Sequence, residues 1–362
     1  MVGRFARRGK IAWDYRRKAG TRLRCEPSQS RVPALRRITV KSTSGIKMSE
    51  TRDSDPRDKL FEKMAIEGVR VKPFDGFIFL CGGLVDASAE HPPSLRDAIY
   101  REAAKLPDII NRIRLAEEFK DWAEDGHYQD LLTFEEHIAE LSNVIVLALE
   151  SPGSLAELGM FSAMESFRSK LIVFIATSHY EQSSFIKLGP VKFLETSLNN
   201  PCEVFPWMTT GARSVVDADW LSRSSGDVIE ALVDRLSPMK TEVQFSQEKW
   251  LHVTLLICDF ILVMSALTVT EIVGYLNRLG IQESMISLKQ RLFILEKMEL
   301  ISVIARSNQR FYVPSKSEFF LNFRISPKEL DLSRLQVDTI SFYEKEDRRR
   351  HKALFERRRV GI

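Results

Sequence analysis

Glu157 is the residue of this chain best placed by its neighbours to do chemistry. It stands in "LESPGSLAELGM" (149–160), where Gly153, flanked by Pro152 and Ser154, follows an apolar run and opens a helix. A carboxylate there has two readings. Ser154 and Glu157 fit the Ser-x-x-Glu capping box, which satisfies free backbone N–H groups at a helix start and contributes about 1 kcal/mol without catalysis. The same spacing suits a ligand, because Gly153 lets it approach the backbone and a helix N-terminus offers N–H donors to phosphate or ribose. An acid on the first turn then faces the strand-end crevice. It can attack, or stabilise, the anomeric carbon of a ribosyl group as the base departs. That transition state is oxocarbenium-like and needs negative charge on one face and a proton donor near the leaving group. Glu150, Glu117 and Glu118 are the other acids expected near strand ends, each also readable as a solvated loop acid.

The elements that must position these residues show in the hydrophobic pattern. "FIFLC" (77–81) is a strand-length run ending in Gly82-Gly83, and "PPSLRDAIYREAAKL" (92–106) places Leu95, Ile99, Ala103 and Leu106 on one helical face. "IINRIRL" (109–115) reads as a second strand, and "TFEEHIAELS" (133–142) as a helix with Thr133 and Glu136 in capping-box positions. "NVIVLAL" (143–149) and "KLIVFIA" (170–176) are β-branched runs of the kind buried on both faces of a parallel sheet. This alternation predicts a doubly wound, flavodoxin- or Rossmann-like α/β domain over about 70–240, with ligands at the carboxyl ends of its strands. A flavodoxin-like strand order brings the loops after Cys81 and Glu150 together. Cys81, Gly82 and Gly83 then form a nucleotide-contacting loop with Ser151, Gly153 and Ser154, or else a tight strand-to-helix turn.

From Trp250 the pattern turns helical: "WLHVTLLICDFILVMSA", "TVTEIVGYLNRLG" and "QESMISLKQRLFILEKMEL", then two β-rich runs around Ser307-Asn308. Three helices and a hairpin over 245–325 predict a winged helix-turn-helix, with 283–298 as recognition helix and 306–310 as wing tip. Lys289, Arg291, Arg306 and Arg310 are its candidate nucleic-acid contacts, diluted by Glu283, Glu296 and Glu299. Residues 326–362 read as a charged tail or helix.

Charge is uneven along the chain. Residues 1–50 hold 14 Lys/Arg against 3 Asp/Glu, while the remainder is mildly acidic, within an overall formal charge of +4. This basic extension is expected to be disordered. It reads as a nucleic-acid or membrane-surface arm, as a targeting peptide, or as sequence upstream of a start at Met48. Four scattered cysteines with no CxxC pair argue for a reducing cytosol and against a metal site. The most apolar stretch, "LLICDFILVM", carries Asp259 and is too short to span a bilayer.

Four segments together resemble a known family. "FIFLCGG", "ALESPGSLAELGMFS", "RSKLIVFI" and "SFIKLGPVKFL" occur, in this order and at similar separations, in effector proteins of one class of bacterial retrons. Those effectors resemble nucleoside deoxyribosyltransferases in their first domain and carry a winged-helix domain after it. The resemblance implies that Glu157, in the Glu-Leu-Gly element, is the glycosyl nucleophile. It implies an N-glycosidase acting as a cytoplasmic toxin in phage defence, with NAD or a related nucleotide as substrate and no further cofactor. It also implies restraint by a reverse transcriptase and its multicopy single-stranded DNA–RNA hybrid; a homo-oligomer is compatible and no membrane partner is implied. Where the wider superfamily often has an Asp before the strand leading into the motif, this chain has Asn143, which leaves Glu150 as the preferred second carboxylate. The competing reading is a nucleotide-sensing DNA-binding regulator without hydrolytic activity.

Overall fold

Five parallel strands frame the first half of the chain: β1 (Phe77–Cys81), β2 (Ile113–Arg114), β3 (Ser142–Ala148), β4 (Leu171–Ala176) and β5 (Glu203–Phe205). Their order is β2-β1-β3-β4-β5, the flavodoxin-like order in which the chain reverses direction across the sheet between β1 and β3. Side chains alternate between two cores, as a strand's period of two requires. Ile78, Leu80, Val146 and Phe174 pack with Leu95, Ile99, Val228 and Leu232 on one face. Phe79, Leu147, Val173 and Ile175 pack with Phe134, Ile138, Leu158 and Phe161 on the other. These partners lie on α1 (Leu95–Ala103), α2 (Leu131–Leu141), α3 (Pro152–Ala163) and α4 (Ala218–Arg235). Helices on both faces bury the β-branched strands completely, so the doubly wound expectation holds.

This computed structural model describes residues 54–122, 126–207, 217–236, 241–306, 308–326 and 328–359. The expectations for residues 1–50 and for a start at Met48 lie outside the described residues.

Local readings fail where a stronger cap or turn lies nearby. Pro107 opens a helical turn over Pro107–Ile110, so the strand expected over 109–115 shrinks to two residues. α1 begins at Leu95 behind the cap Ser94, two residues past Pro92-Pro93. α2 begins at Leu131, capped by the Asp130 carboxylate, and not by a Thr133–Glu136 box.

The second half forms α5 (Trp250–Met264), α6 (Val269–Arg278), α7 (Met285–Lys297) and an antiparallel hairpin of β6 (Ile301–Arg306) and β7 (Gln309–Pro314). α5 is buried from His252 to Met264. Its Asp259 carboxylate accepts from the N–H groups of Phe320 and Leu321, which explains an acid inside the apolar run. α8 (Leu332–Glu346) and α9 (Arg348–Arg359) follow, and Tyr343 and Ala353 pack on Phe311 and Val313 of the hairpin. An ion-pair clasp joins distant segments here. Glu271 takes Arg57 at 2.6 Å and Arg350 at 2.8 Å, and the Tyr343 hydroxyl donates to Met264 and Ala266 carbonyls. Among the described residues no helix is long and apolar enough to cross a membrane.

Candidate active site

Glu157 does not cap its helix. The cap of α3 is Ser151, whose hydroxyl accepts from Ser154 N–H while the Ser154 hydroxyl accepts from Ser151 N–H. A closer Ser-x-x-Ser pair therefore takes the role assigned to Ser154 and Glu157. Pro152 at the first helical position supports the same start. Glu157 falls on the second turn, one turn deeper than expected, and is left free of capping duty. Its side chain lines a cavity of about 290 Å³ together with Phe79, Cys81, Gly82, Arg96, Glu117, Leu131 and Glu135.

The cavity sits at the carboxyl end of β1, beside the point where the strand order reverses. β1 and β3 pair with Cys81 opposite Leu147, so the loops after both strands lie side by side. Backbone closeness there demands glycine. A Cβ on Gly82 would lie 2.9 Å from Arg96 Cβ, and one on Gly83 would lie 2.8 Å from Ser94 Cβ. Glu150 holds this junction: its carboxylate accepts from Gly83 N–H (2.8 Å), Leu95 N–H (2.7 Å) and Arg96 N–H (3.0 Å). It thus supplies acceptors to the start of α1 and to the Gly-Gly turn, and it is not among the residues lining the cavity.

Three glutamates and one arginine set the electrostatics. Arg96 is buried, with its guanidinium donating to the Leu80 and Gly83 carbonyls and to Glu117 at 2.8 Å. Glu157 Oε2 is shielded from solvent and has no hydrogen-bond partner among the described residues. Burial pushes the Glu157 carboxyl up, against the pull of Arg96 and of a hydrogen bond from Cys81, with Glu117 adding to the rise. Burial also drives the Cys81 thiol well up, so it stays protonated and serves as a donor. Glu135 is 8% exposed and is pushed up to about 7, first by burial and then by the negative charge of Glu157. Two buried carboxyls that repel one another separate into an ionised member and a protonated member. Burial is the first cause of the rise in Glu135 and the negative charge of Glu157 the second, so the two carboxyls titrate as a linked pair.

Of the residues expected from sequence, Cys81, Gly82, Glu117 and Glu157 meet at the cavity, and Ser151, Gly153 and Ser154 form the cap that aims α3. Gly83 and Glu150 build the wall behind it. Arg96 and Glu135 were missed. Both interrupt the apolar stripe of an amphipathic helix, and a charge on a buried stripe is the signal that points to them. Asn143 lies at the amino end of β3, opposite the cavity. Its carboxamide donates to the Phe74 carbonyl at 2.6 Å, and a Cβ on Gly76 would meet it at 2.4 Å. Asn143 therefore anchors the approach to β1, and the identity of residue 143 says nothing about a second acid in the cavity. A larger cavity of about 670 Å³ lies at that same far end, walled by Phe74, Phe77, Phe319 and Phe320. The carboxyl cluster makes the smaller one the reactive candidate.

In the helical region, Lys289 and Arg310 are exposed. Arg291 contradicts its expected role as a surface contact. It is 6% exposed, donates to the Trp250 carbonyl and Thr254 hydroxyl, pairs with Glu283 at 3.1 Å and lies over the Trp250 ring. Helical spacing turns residues 288, 291, 292 and 295 inward, so this Arg follows the core stripe. Arg306 is half-buried on the hairpin.

Residues 92–303 match the STM3845 retron effector protein family. An Escherichia coli protein named "Retron Ec86 putative ribosyltransferase/DNA-binding protein" is 42% identical over 118 residues, which is 32% of this chain and 36% of that protein. A second, "Retron Ec73 putative ribosyltransferase/DNA-binding protein", also from Escherichia coli, is 27% identical over 164 residues, 44% of this chain and 50% of its own length. The matched region spans half or less of the length of these curated relatives.

Proposed function

The chain belongs to the STM3845 retron effector protein family, and from that premise we propose that it is an N-glycosidase, a toxic effector of an anti-phage retron acting in the cytoplasm. Its substrate is NAD or a related nucleotide. The observation that carries this reading is the pair of Glu157 and Glu135 lining one cavity, both raised by burial, with the negative charge of Glu157 raising Glu135 further.

Glu157 attacks the anomeric carbon, forming a C1′–O bond as the C1′–N bond to the base breaks. The electron pair of the broken bond leaves with the base. A neutral nucleobase takes the Glu135 proton as it departs. A nicotinamide, already cationic in NAD, leaves as a neutral base without a proton, and Glu135 then serves to hold the sugar. Water next attacks C1′ and Glu157 is released as carboxylate. After a neutral base has left, the now ionised Glu135 receives the water proton, whereas after nicotinamide has left Glu135 still holds its own and the water proton passes to solvent. Arg96 fixes Glu117 and moderates the negative charge of the cavity, and the Cys81 hydrogen bond steadies the nucleophile. Glu150 acts as scaffold in this scheme, and Glu135 takes the acid role first assigned to it.

The helical region with its hairpin is read as the winged helix that the sequence suggested. Lys289 and Arg310, with Arg306 behind them, would meet phosphates. A reverse transcriptase and its multicopy single-stranded DNA–RNA hybrid are the partners that would hold the enzyme in check, in a complex that can include further copies of the chain. The packing of α7 on α2, which carries Glu135, also suits a second reading, in which nucleotide binding is sensed and passed to a DNA-binding surface without cleavage. Incubation with NAD and with nucleosides, followed by chromatography of free base, separates the two. Base release by the wild type and none by Glu157→Gln supports the glycosidase. Unchanged release by the Gln variant sinks it.

A further inference from the structure

α2 has two working faces. One points Glu135 into the cavity, where Glu157 of α3, Arg96 of α1, Glu117 and the Cys81 thiol of β1 surround it. The other is clad in rings from the helical region. Phe293 of α7 lies 6.4 Å from the Phe134 ring and 5.9 Å from the Tyr128 ring, and Tyr128 lies 5.2 Å from Phe134. His127 closes on Phe293 at 5.1 Å. The Tyr128 hydroxyl pairs with His137 Nδ1 at 2.8 Å and reaches the Gln290 carbonyl at 3.4 Å. His137 stacks on Trp250 at 4.2 Å, and Arg291 covers that indole. Phe134 and Glu135 are consecutive, so whatever seats the one sets the direction of the other.

We propose that Phe293 is a positioning residue for Glu135: by seating Phe134 and Tyr128 from the far side of α2, the helical region fixes how Glu135 stands against Glu157. This rests on the two-carboxylate reading of the cavity. Aromatic rings suit the task because they fill the space with few rotatable bonds, and close packing passes a displacement on without absorbing it. The charged and titratable groups on this side of α2, Arg291, His127, His137 and Tyr128, lie behind the helix. Burial and Arg291 hold His137 down to about 4, so it stays neutral and acts through packing and its bond to Tyr128.

The test uses the full chain. Glu135 is followed by carboxyl 13C titration of Glu-labelled protein, with its signal identified by loss in Glu135→Gln. Its midpoint near 7 should fall by about one unit in Phe293→Ala, as α2 loosens and water reaches the acid. Base release should fall ~10-fold or more in kcat with little change in KM. Phe293→Leu should restore most of both. Tyr128→Phe, which removes a hydrogen bond without opening a cavity, should shift the midpoint in the same direction by less, and it decides the matter if Phe293→Ala does not fold. An unmoved midpoint and unmoved kcat in these variants overturn the proposal. If the midpoint moves but the wild type releases no base from any glycoside, the positioning role stands and the glycosidase reading falls.

Discussion

Two buried charge clusters in this molecule differ in one respect, and the difference separates support from chemistry. In the clasp of the helical region, Glu271 is shared by Arg57 and Arg350, Arg57 also holds Asp55, and Arg350 also holds Asp347. Burial pushes Glu271 up, but Arg350 and Arg57 outweigh it and hold the carboxyl below its usual range. Every charge in the clasp has a partner. In the cavity, three glutamates face one arginine, and that arginine is occupied by Glu117 and two carbonyls. Both Glu135 and Glu157 are raised, and one Glu157 oxygen has no partner among the described residues. A charge set left uncompensated costs stability, a cost that the proposed reaction would account for.

The comparison breaks most plainly at Glu157. Glu157→Gln should lower base release by ~10³-fold or more while leaving the melting temperature equal or higher, because it removes a buried charge and no structural bond. A melting temperature several degrees lower would place Glu157 with the structural clasp. The reverse is expected of Arg350→Ala. It leaves Glu271 with Arg57 as its remaining arginine and uncovers the Phe311 ring. Chemical denaturation should therefore show a loss of about 1.5–3 kcal/mol, with any base release unchanged wherever the chain remains folded.

Glu135→Gln sharpens the contrast through pH. A carboxyl raised to about 7 in the folded state and near 4.5 when unfolded binds more protons folded than unfolded between those values. Stability from this group is therefore fully present below about pH 4.5 and lost as pH rises to 7, by about 3 kcal/mol in all. The Gln variant should match wild type at pH 4.5 and exceed it by about that amount at pH 8, read from denaturant midpoints. Its activity should fall steeply on a neutral nucleoside and far less on NAD. The smallest effects belong to the surface. Lys289→Ala and Arg310→Ala should leave stability within about 0.5 kcal/mol and each lower the salt slope of nucleic-acid binding by roughly 1.

Much of this was legible in the residues, and the failures share a cause. β3 and β4 read correctly because a strand buried on both faces has little choice of residue, and the glycines after β1 marked the crevice before the sheet order was seen. Glu157 was found from its motif. Its supposed capping role was wrong because Ser151 and Ser154 compete for the same N–H groups from one turn earlier. The Thr133–Glu136 spacing suggests a helix start at 133, whereas α2 starts at Leu131 and its buried stripe runs through Phe134, Glu135, Ile138 and Leu141. Arg291 misled in the opposite sense: counted as a surface cation by its type, it follows the inward stripe of α7. Pairings across the fold, such as Asn143 with Phe74, leave no local periodic trace.

The grip of Glu150 has a consequence for how the protein is made. Its three backbone donors precede it by 67, 55 and 54 positions, so until β3 has been synthesised and laid beside β1 the Gly82-Gly83 turn meets the start of α1 only through the Arg96 and Ser94 side chains. Glu157 arrives a few residues later still. A nascent or truncated chain that ends before this point carries the glycine loop and Arg96 but neither the brace nor Glu157. If the proposed glycosidase activity harms the cell that makes it, unfinished copies would thereby be inert.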